Sequence, residues 1–202
     1  MKKTLAAAFV LASVLTAASA RADVGQWSAE LRPGYSALVG SSFTKDLLKD
    51  SFNVTAAADY QLDEMASAGL ELGYDVGHKF EGTIFGQSFT SDINVPVYWL
   101  TPFVRFQTKM TTAGHAWTPY VTVGLGWYHS AKESGTATSG GASGPATVDG
   151  EDYWGLSVGP GFLVPINDRL SAGAELRFHD AFRNQRPPAE LLTPSVNLSY
   201  RF

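Results

Sequence analysis

The sequence predicts an all-β chain: an eight-stranded antiparallel transmembrane up-and-down β-barrel. Three observations predict it. Apolar residues recur at every second position through eight successive segments, the period of a strand with one apolar face. Trp and Tyr gather near the ends of those faces, where their rings suit a membrane–water boundary. Most of the connections alternate between long and short, as they do when long loops crown one rim of a barrel and tight turns the other.

Residues 1–22 stand apart from this pattern. Lys2 and Lys3 precede an apolar run from Leu5 to Leu15, and Ala20-Arg21-Ala22 places small residues at a cleavage site, the three parts of a secretory signal peptide. The run is shorter than the roughly 20 residues that a transmembrane helix needs. Cleavage is expected after Ala22, with Ala20 as the alternative, leaving 23–202 as the barrel domain. The formal charge of −4 becomes more negative once Lys2, Lys3 and Arg21 leave.

The first predicted strand sets Trp27, Ala29, Leu31, Tyr35 and Val39 on one face and Glu30, Arg32, Gly34 and Ser36 on the other. The second alternates Phe52, Val54, Ala56, Ala58, Tyr60 with Asn53, Thr55, Asp59. A short connection, Asp63 to Ala66, leads to the third, with Leu70, Leu72, Tyr74, Val76 against Glu71, Gly73, Asp75. In the fourth, Phe89, Ile93, Val95, Val97 and Trp99 read as the apolar face, and the phase blurs between Pro102 and Phe106. The fifth carries Trp117, Val121, Val123, Leu125, Trp127 opposite Tyr120, Thr122, Gly124, Gly126. The sixth sets Trp154, Leu156, Val158, Phe162, Val164 against Tyr153, Gly155, Ser157, Gly159. Pro165 to Arg169 turns into the seventh, Leu170, Ala172, Ala174, Leu176, Phe178 against Ser171, Gly173, Glu175, Arg177, His179. The eighth alternates Leu192, Val196, Leu198, Tyr200, Phe202 with Thr193, Ser195, Asn197, Arg201.

A secreted sandwich would also alternate. Here the face opposite the apolar one is dominated by Gly and small polar residues, which fit the crowded inside of a narrow tube better than a solvated surface. Pro33, Pro96 and Pro160 fall within strands, where each removes a ladder donor; local bulges are expected there. Gly40 to Asp50, His78 to Ser88, Ser130 to Gly150 and Asp180 to Leu191 form the long loops, with Ser130 to Gly150 reading as mobile and exposed. Thr108 to Ala116 is intermediate. The predicted aromatic girdle comprises Trp27, Tyr60, Trp99, Trp117, Trp127 and Trp154.

With no Cys among 202 residues, disulfide scaffolds, thiolate metal sites and cysteine nucleophiles are excluded, and no cofactor or metal is expected. The acidic balance argues against nucleic acid as a partner. Eight strands enclose an interior that side chains fill, so an open pore is not expected. The inward register collects Glu30, Asp59, Glu71, Asp75 and Glu175 with Arg32, Arg177 and Arg201. Unpaired charge in such a tube is costly, so pairs such as Glu71 or Glu175 with Arg177 or Arg32 are expected, either as a fixed plug or as a gate on a narrow path. His129-Ser130 and His179-Asp180 are candidate catalytic groups, but adjacent strand residues point to opposite faces, so no enzyme is expected. Metal binding by His78 with Asp75 or His179 is equally unsupported.

The chain closes on Leu198-Ser199-Tyr200-Arg201-Phe202, which resembles the C-terminal signal of bacterial outer-membrane barrels, with Tyr200 and Phe202 as the residues that the barrel-assembly machinery reads. Thr118-Pro119-Tyr120-Val121-Thr122-Val123-Gly124-Leu125-Gly126-Trp127-Tyr128 is similar to a strand of small barrels. The chain thus resembles the OmpA/OmpX-like and OmpW-like eight-stranded superfamily, closely in those two segments and in pattern across the mature chain. The resemblance implies a bacterial outer-membrane location, lipids and lipopolysaccharide as surroundings, and a structural or surface-interaction role. An OmpW-like conduit for small or apolar solutes ranks second and a lipid-modifying enzyme third. A monomer is expected, with Lys45, Lys49, Arg183 and Arg186 toward lipopolysaccharide phosphates and the aromatics between Gly77 and Phe89 at an adhesive or lipid-contacting tip. No periplasmic domain of the OmpA type is expected after the last strand.

Overall fold

A computed structural model describes residues 24–39, 49–84, 87–182 and 189–202. The expected export segment lies outside the described residues. Eleven strands are formed: β1 (Trp27–Leu38), β2 (Ser51–Gln61), β3 (Ala66–Ile84), β4 (Gln87–Gln107), β5 (Met110–Thr112), β6 (His115–Ser130), β7 (Glu133–Ser139), β8 (Ala142–Val148), β9 (Glu151–Pro165), β10 (Leu170–Phe182) and β11 (Ala189–Arg201). Eight of them, β1-β2-β3-β4-β6-β9-β10-β11, form an antiparallel ring, which the β1–β11 ladder closes. Closure satisfies every stave on both sides, the condition for sheet structure in hydrocarbon.

Alternation decides what each stave shows to lipid. Leu70, Leu72, Leu100, Val121, Val123, Leu125, Leu156, Val158, Leu176, Val196 and Leu198 are all exposed. Against water such a surface would drive aggregation; against acyl chains it is the favourable face. Exposed aromatics bound this band. Tyr35, Phe52, Tyr74, Tyr98, Trp127, Trp154 and Phe182 stand on the long-loop side, and Trp27, Tyr60, Phe106 and Phe162 on the short-turn side.

Two of the short turns are built by side chains that mimic backbone. Asp63 Oδ1 accepts from the amides of Met65 and Ala66 at 2.7 and 2.8 Å, and Asn167 Oδ1 accepts from Arg169 and Leu170 at 2.9 and 2.8 Å. The intermediate connection contains a small hairpin, with β5 paired to the start of β6. Its two turn residues, Ala113 and Gly114, have φ of 51° and 82°, as a two-residue hairpin turn requires.

Four expectations are corrected. Ser130 to Gly150 is not a mobile loop: β7 and β8 pair as a hairpin through Gly140 and Gly141, at φ 57° and 83°, and β7 continues the edge of β4. His78 to Ser88 is likewise largely strand, because β3 and β4 stay paired past the aromatic band as far as Ile84↔Gln87, through register shifts between Asp75 and His78 and between Lys79 and Glu81. Phe85, Gly86, Lys45, Arg183 and Arg186 lie outside the described residues. The third correction concerns proline. Pro33 lies in an unbroken β1–β2 ladder, and the β1–β11 register is the same on either side of it, from Leu31↔Leu198 to Gly34↔Ser195. Pro160 pairs with Val121 and leaves the β9–β10 register unshifted. No bulge is needed, because a residue in an antiparallel strand directs its N–H to one neighbour only, so each proline costs one bond on one side. Pro96 differs: Val76 and Gly77 of β3 oppose it in a bulge between Asp75↔Val97 and His78↔Val95.

The largest correction is the phase of β4. Ile93, Val95, Val97, Trp99 and Phe103 are buried inside the barrel, while Tyr98, Leu100, Val104 and Phe106 face outward. Trp99 is therefore no girdle residue. A β-carbon on Gly73 would sit 1.8 Å from the Trp99 ring, so a bare backbone on β3 makes room for the indole. The segment Val95-Pro96-Val97-Tyr98-Trp99-Leu100 is apolar in both phases, so alternation alone could not choose between them.

Candidate functional site

The lumen is the candidate site, and β1, β2, β3, β4 and β10 supply its charges. Arg32 on β1 and Arg177 on β10 point inward because their neighbours Leu31, Pro33, Leu176 and Phe178 take the other face. Glu71 and Glu175 do so for the same reason. Arg32 donates through Nη2 to Glu71 at 2.7 Å and through Nη1 to Glu175 at 2.8 Å. Arg177 reaches the same two acids, Nη1 to Glu71 Oε2 at 2.5 Å and Nε to Glu175 Oε1 at 2.7 Å. Two guanidinium groups and two carboxylates thus form a closed ring across the barrel, all with side chains at most 3% exposed.

A second cluster lies nearer the short-turn rim. Arg105 of β4 grips Glu30 with both terminal nitrogens, at 2.5 and 2.8 Å, and stands 3.5 Å from Asp59. Asp59 also accepts from Ser67 at 2.7 Å and from Ser28. The Arg105 guanidinium lies 4.4 Å from the Tyr120 ring, and Asn197 donates to the Tyr120 hydroxyl. Sequence reasoning missed Arg105. The signal was present: Arg105 shares its strand phase with Trp99, and an arginine in that phase cannot be left in hydrocarbon.

Toward the long-loop rim the filling becomes aromatic. Trp99 and Tyr128 stack with centroids 6.5 Å apart, and Tyr128 lies parallel to Tyr153 at 5.8 Å. His179 meets the Tyr128 hydroxyl at 2.9 Å and Thr193 Oγ1 at 3.2 Å. The cavity beside Arg32, Glu71, Glu175 and Arg177 measures about 10 Å³, roughly the space of one water molecule.

Two charged residues of the inward register stand outside these clusters. Asp75 lies 3.4 Å from His78 Nε2, whose Nδ1 meets the Lys49 carbonyl at 2.8 Å. Burial opposes charge on His78, but the Asp75 carboxylate and the Lys49 carbonyl hold its imidazole above the usual value. Arg201 reaches the short-turn mouth, where it lines a cavity with Asp59 and Arg105.

The remaining predicted residues lie on the rims. Trp27 and Tyr60 pack at 5.2 Å, as do Tyr200 and Phe202, and the Phe202 amide donates to the Trp27 carbonyl at 2.9 Å across the closing seam. Trp117 is half-buried on the small hairpin and donates to Thr112 at 3.1 Å. Trp127 and Trp154 face outward, and Trp127 stacks on His129 at 5.7 Å. His129 does meet a carboxylate, Asp152, at 2.9 Å, but Ser130 is buried on the opposite face and bonds to Glu151. His179 turns into the lumen while Asp180 takes the other face. Lys49 lies 3.8 Å from Glu81 on the surface. Among the described residues no group of three His, Asp or Glu could hold a metal ion.

Comparison with known proteins agrees with this architecture. The family model described as Outer membrane protein beta-barrel domain matches residues 4–202, and the chain belongs to that family of the bacterial outer membrane. Among solved structures it is similar to Neisserial surface protein A, with 12% identity, TM-score 0.58, and coverage of 90% of this chain and 100% of that one. It is similar to Ail, the attachment invasion locus protein of Yersinia pestis, with 14% identity, TM-score 0.53, and coverage of 89% and 99%. Outer membrane protein OprG from Pseudomonas aeruginosa shows 11% identity, TM-score 0.56, and coverage of 89% and 97%. At such identities the likeness is one of fold. No curated protein matches the chain in sequence.

Proposed function

We propose that this member of the outer-membrane barrel family is a closed, non-enzymatic barrel that serves envelope structure or surface interaction. One observation carries the reading: Arg32 and Arg177 are held together with Glu71 and Glu175 in a side-chain ring spanning the lumen. Opening a path requires separating these charges where water is scarce, and a lone buried charge is far costlier than a paired one. The aromatic filling above and the Arg105–Glu30 pair below support the same conclusion. The surroundings under this reading are phospholipid and lipopolysaccharide. Tyr200 and Phe202 are the assembly signal, and a monomer suffices because the ring is closed within one chain. Refolded protein in liposomes should leave their swelling in small sugars and amino acids at the rate of empty liposomes; accelerated swelling would overturn the reading.

A narrow conduit is the second reading. Arg177 Nη2, Thr122 Oγ1 and Ser157 Oγ are buried with no hydrogen-bond partner, and a file of water molecules would satisfy them. An enzyme ranks third, since His129 and Asp152 converge on the outer face without a serine beside them.

A further inference from the structure

At the short-turn rim the β6–β9 ladder begins only at Thr118↔Leu163. Below that pair the β5–β6 hairpin and the turn between β9 and β10 follow separate courses. A cavity of about 580 Å³ lies between them, within the size range of small-molecule sites. Its walls differ in chemistry. Trp117, Leu163 and Ile166 give apolar surface, and Ile166 is 59% exposed. Lys109, Arg169 and Arg201 bring three cations against a single acid, Asp168.

Those rim arginines differ from the arginines of the lumen. Arg32, Arg105 and Arg177 are all taken by carboxylates. Among the described residues, neither Arg169 nor Arg201 has a carboxylate within ion-pair distance; Arg169 has a long contact to the Tyr200 hydroxyl at 3.4 Å. In outer-membrane barrels this rim faces the periplasm, at the level of inner-leaflet headgroups.

We propose that the notch is a phospholipid site, in which one headgroup phosphate accepts hydrogen bonds from Arg169 and Arg201 and an acyl chain lies along Trp117 and Ile166. Guanidinium forks match phosphate oxygens in geometry as well as charge. A small free anion would use the cations and leave the apolar wall uncovered. Ordinary surrounding lipid would use the apolar wall without regard to the cations. The juxtaposition of both selects an amphipathic phosphate. This site stands apart from the lumen and does not depend on whether the lumen conducts.

The test is native mass spectrometry of the refolded barrel released from micelles containing phosphatidylglycerol. The protein should retain one lipid, and Arg169→Gln with Arg201→Gln together should lower retention by about tenfold, the loss of one or two charge-assisted hydrogen bonds. Arg201 pairs with Ser28 in the ladder that closes the ring, so Arg169→Gln is also made alone, in an exposed turn where folding is not at stake; it should lower retention severalfold. Diacylglycerol, which lacks the phosphate, should not be retained. Equal retention by the double variant, or equal retention of diacylglycerol, would overturn the proposal in favour of unspecific surrounding lipid. Displacement of the lipid by inorganic phosphate or a glutamate-rich peptide as effectively as by phosphatidylglycerol would overturn it in favour of a soluble-anion site.

Discussion

Arg32 and Glu71 are 39 residues apart in the chain and 2.7 Å apart in the lumen. Arg32 holds Glu175 in the same grip, so one guanidinium joins β1 to β3 and β10. Replacing it by methionine keeps much of the volume and leaves two carboxylates with Arg177 alone. Such a break in a buried pair costs about 3–5 kcal/mol. Arg32→Met should lower unfolding stability in urea by that order, with the native gel mobility kept. A change below about 1 kcal/mol, the scale of an exposed ion pair, would mean that the ring is wet and weak.

Trp99 and Trp154 make opposite predictions although the sequence pattern assigns both to the girdle. Single-tryptophan variants in vesicles with brominated acyl chains should show strong quenching at Trp154 and little at Trp99, which is 3% exposed inside the barrel. Trp99→Ala should also destabilise by about 3–5 kcal/mol, as large-to-small changes in packed interiors do. Gly73→Val should not be tolerated, because its side chain and the indole claim the same space.

His78 confers a pH dependence on the outer part of the barrel. Its imidazole binds a proton more tightly in the folded chain than in the unfolded one, because Asp75 and the Lys49 carbonyl favour the charged form against burial. The stabilisation is therefore complete below the ordinary histidine value of about 6.5 and is lost as pH rises through the raised value. Amide exchange at Lys49, whose N–H bonds to the Lys79 carbonyl, should lose protection over that range beyond the intrinsic rise with pH. His78→Asn should remove the dependence.

Phe202 ties the closing seam through its amide on the Trp27 carbonyl, a bond that any residue but proline can make, while its side chain packs on Tyr200. Phe202→Ala should slow insertion by the assembly machinery in cells severalfold. The same variant refolded into vesicles should regain the wild-type gel mobility. Equal insertion rates for both proteins would remove Phe202 from the signal.

Period-two patterning made seven of the eight staves legible, because polar residues such as Glu30, Arg32, Glu71 and Arg177 break the apolar series on one face only. The short turns were legible because Asp63 and Asn167 announce them. β4 was not, since Val97, Tyr98, Trp99 and Leu100 leave both faces apolar and Arg105, which marks the inward one, falls inside the stretch where the phase blurs. The β7–β8 hairpin was hidden by composition: Ser, Gly, Thr and Ala suit a flexible loop as well as an exposed strand pair, and its Gly140-Gly141 turn was the available clue. Pairing of the lumen charges could be expected from cost alone, but the choice of partners depends on strand neighbours and barrel shear, which no local pattern carries.

On the proposed reading the ring of Arg32, Glu71, Glu175 and Arg177 closes the lumen. Planar-bilayer recording on the refolded protein tests it most directly. The native chain should give a current indistinguishable from lipid alone, with discrete openings emerging once Arg32 and Arg177 are both replaced by alanine. Regular single-channel steps from the native protein would contradict it.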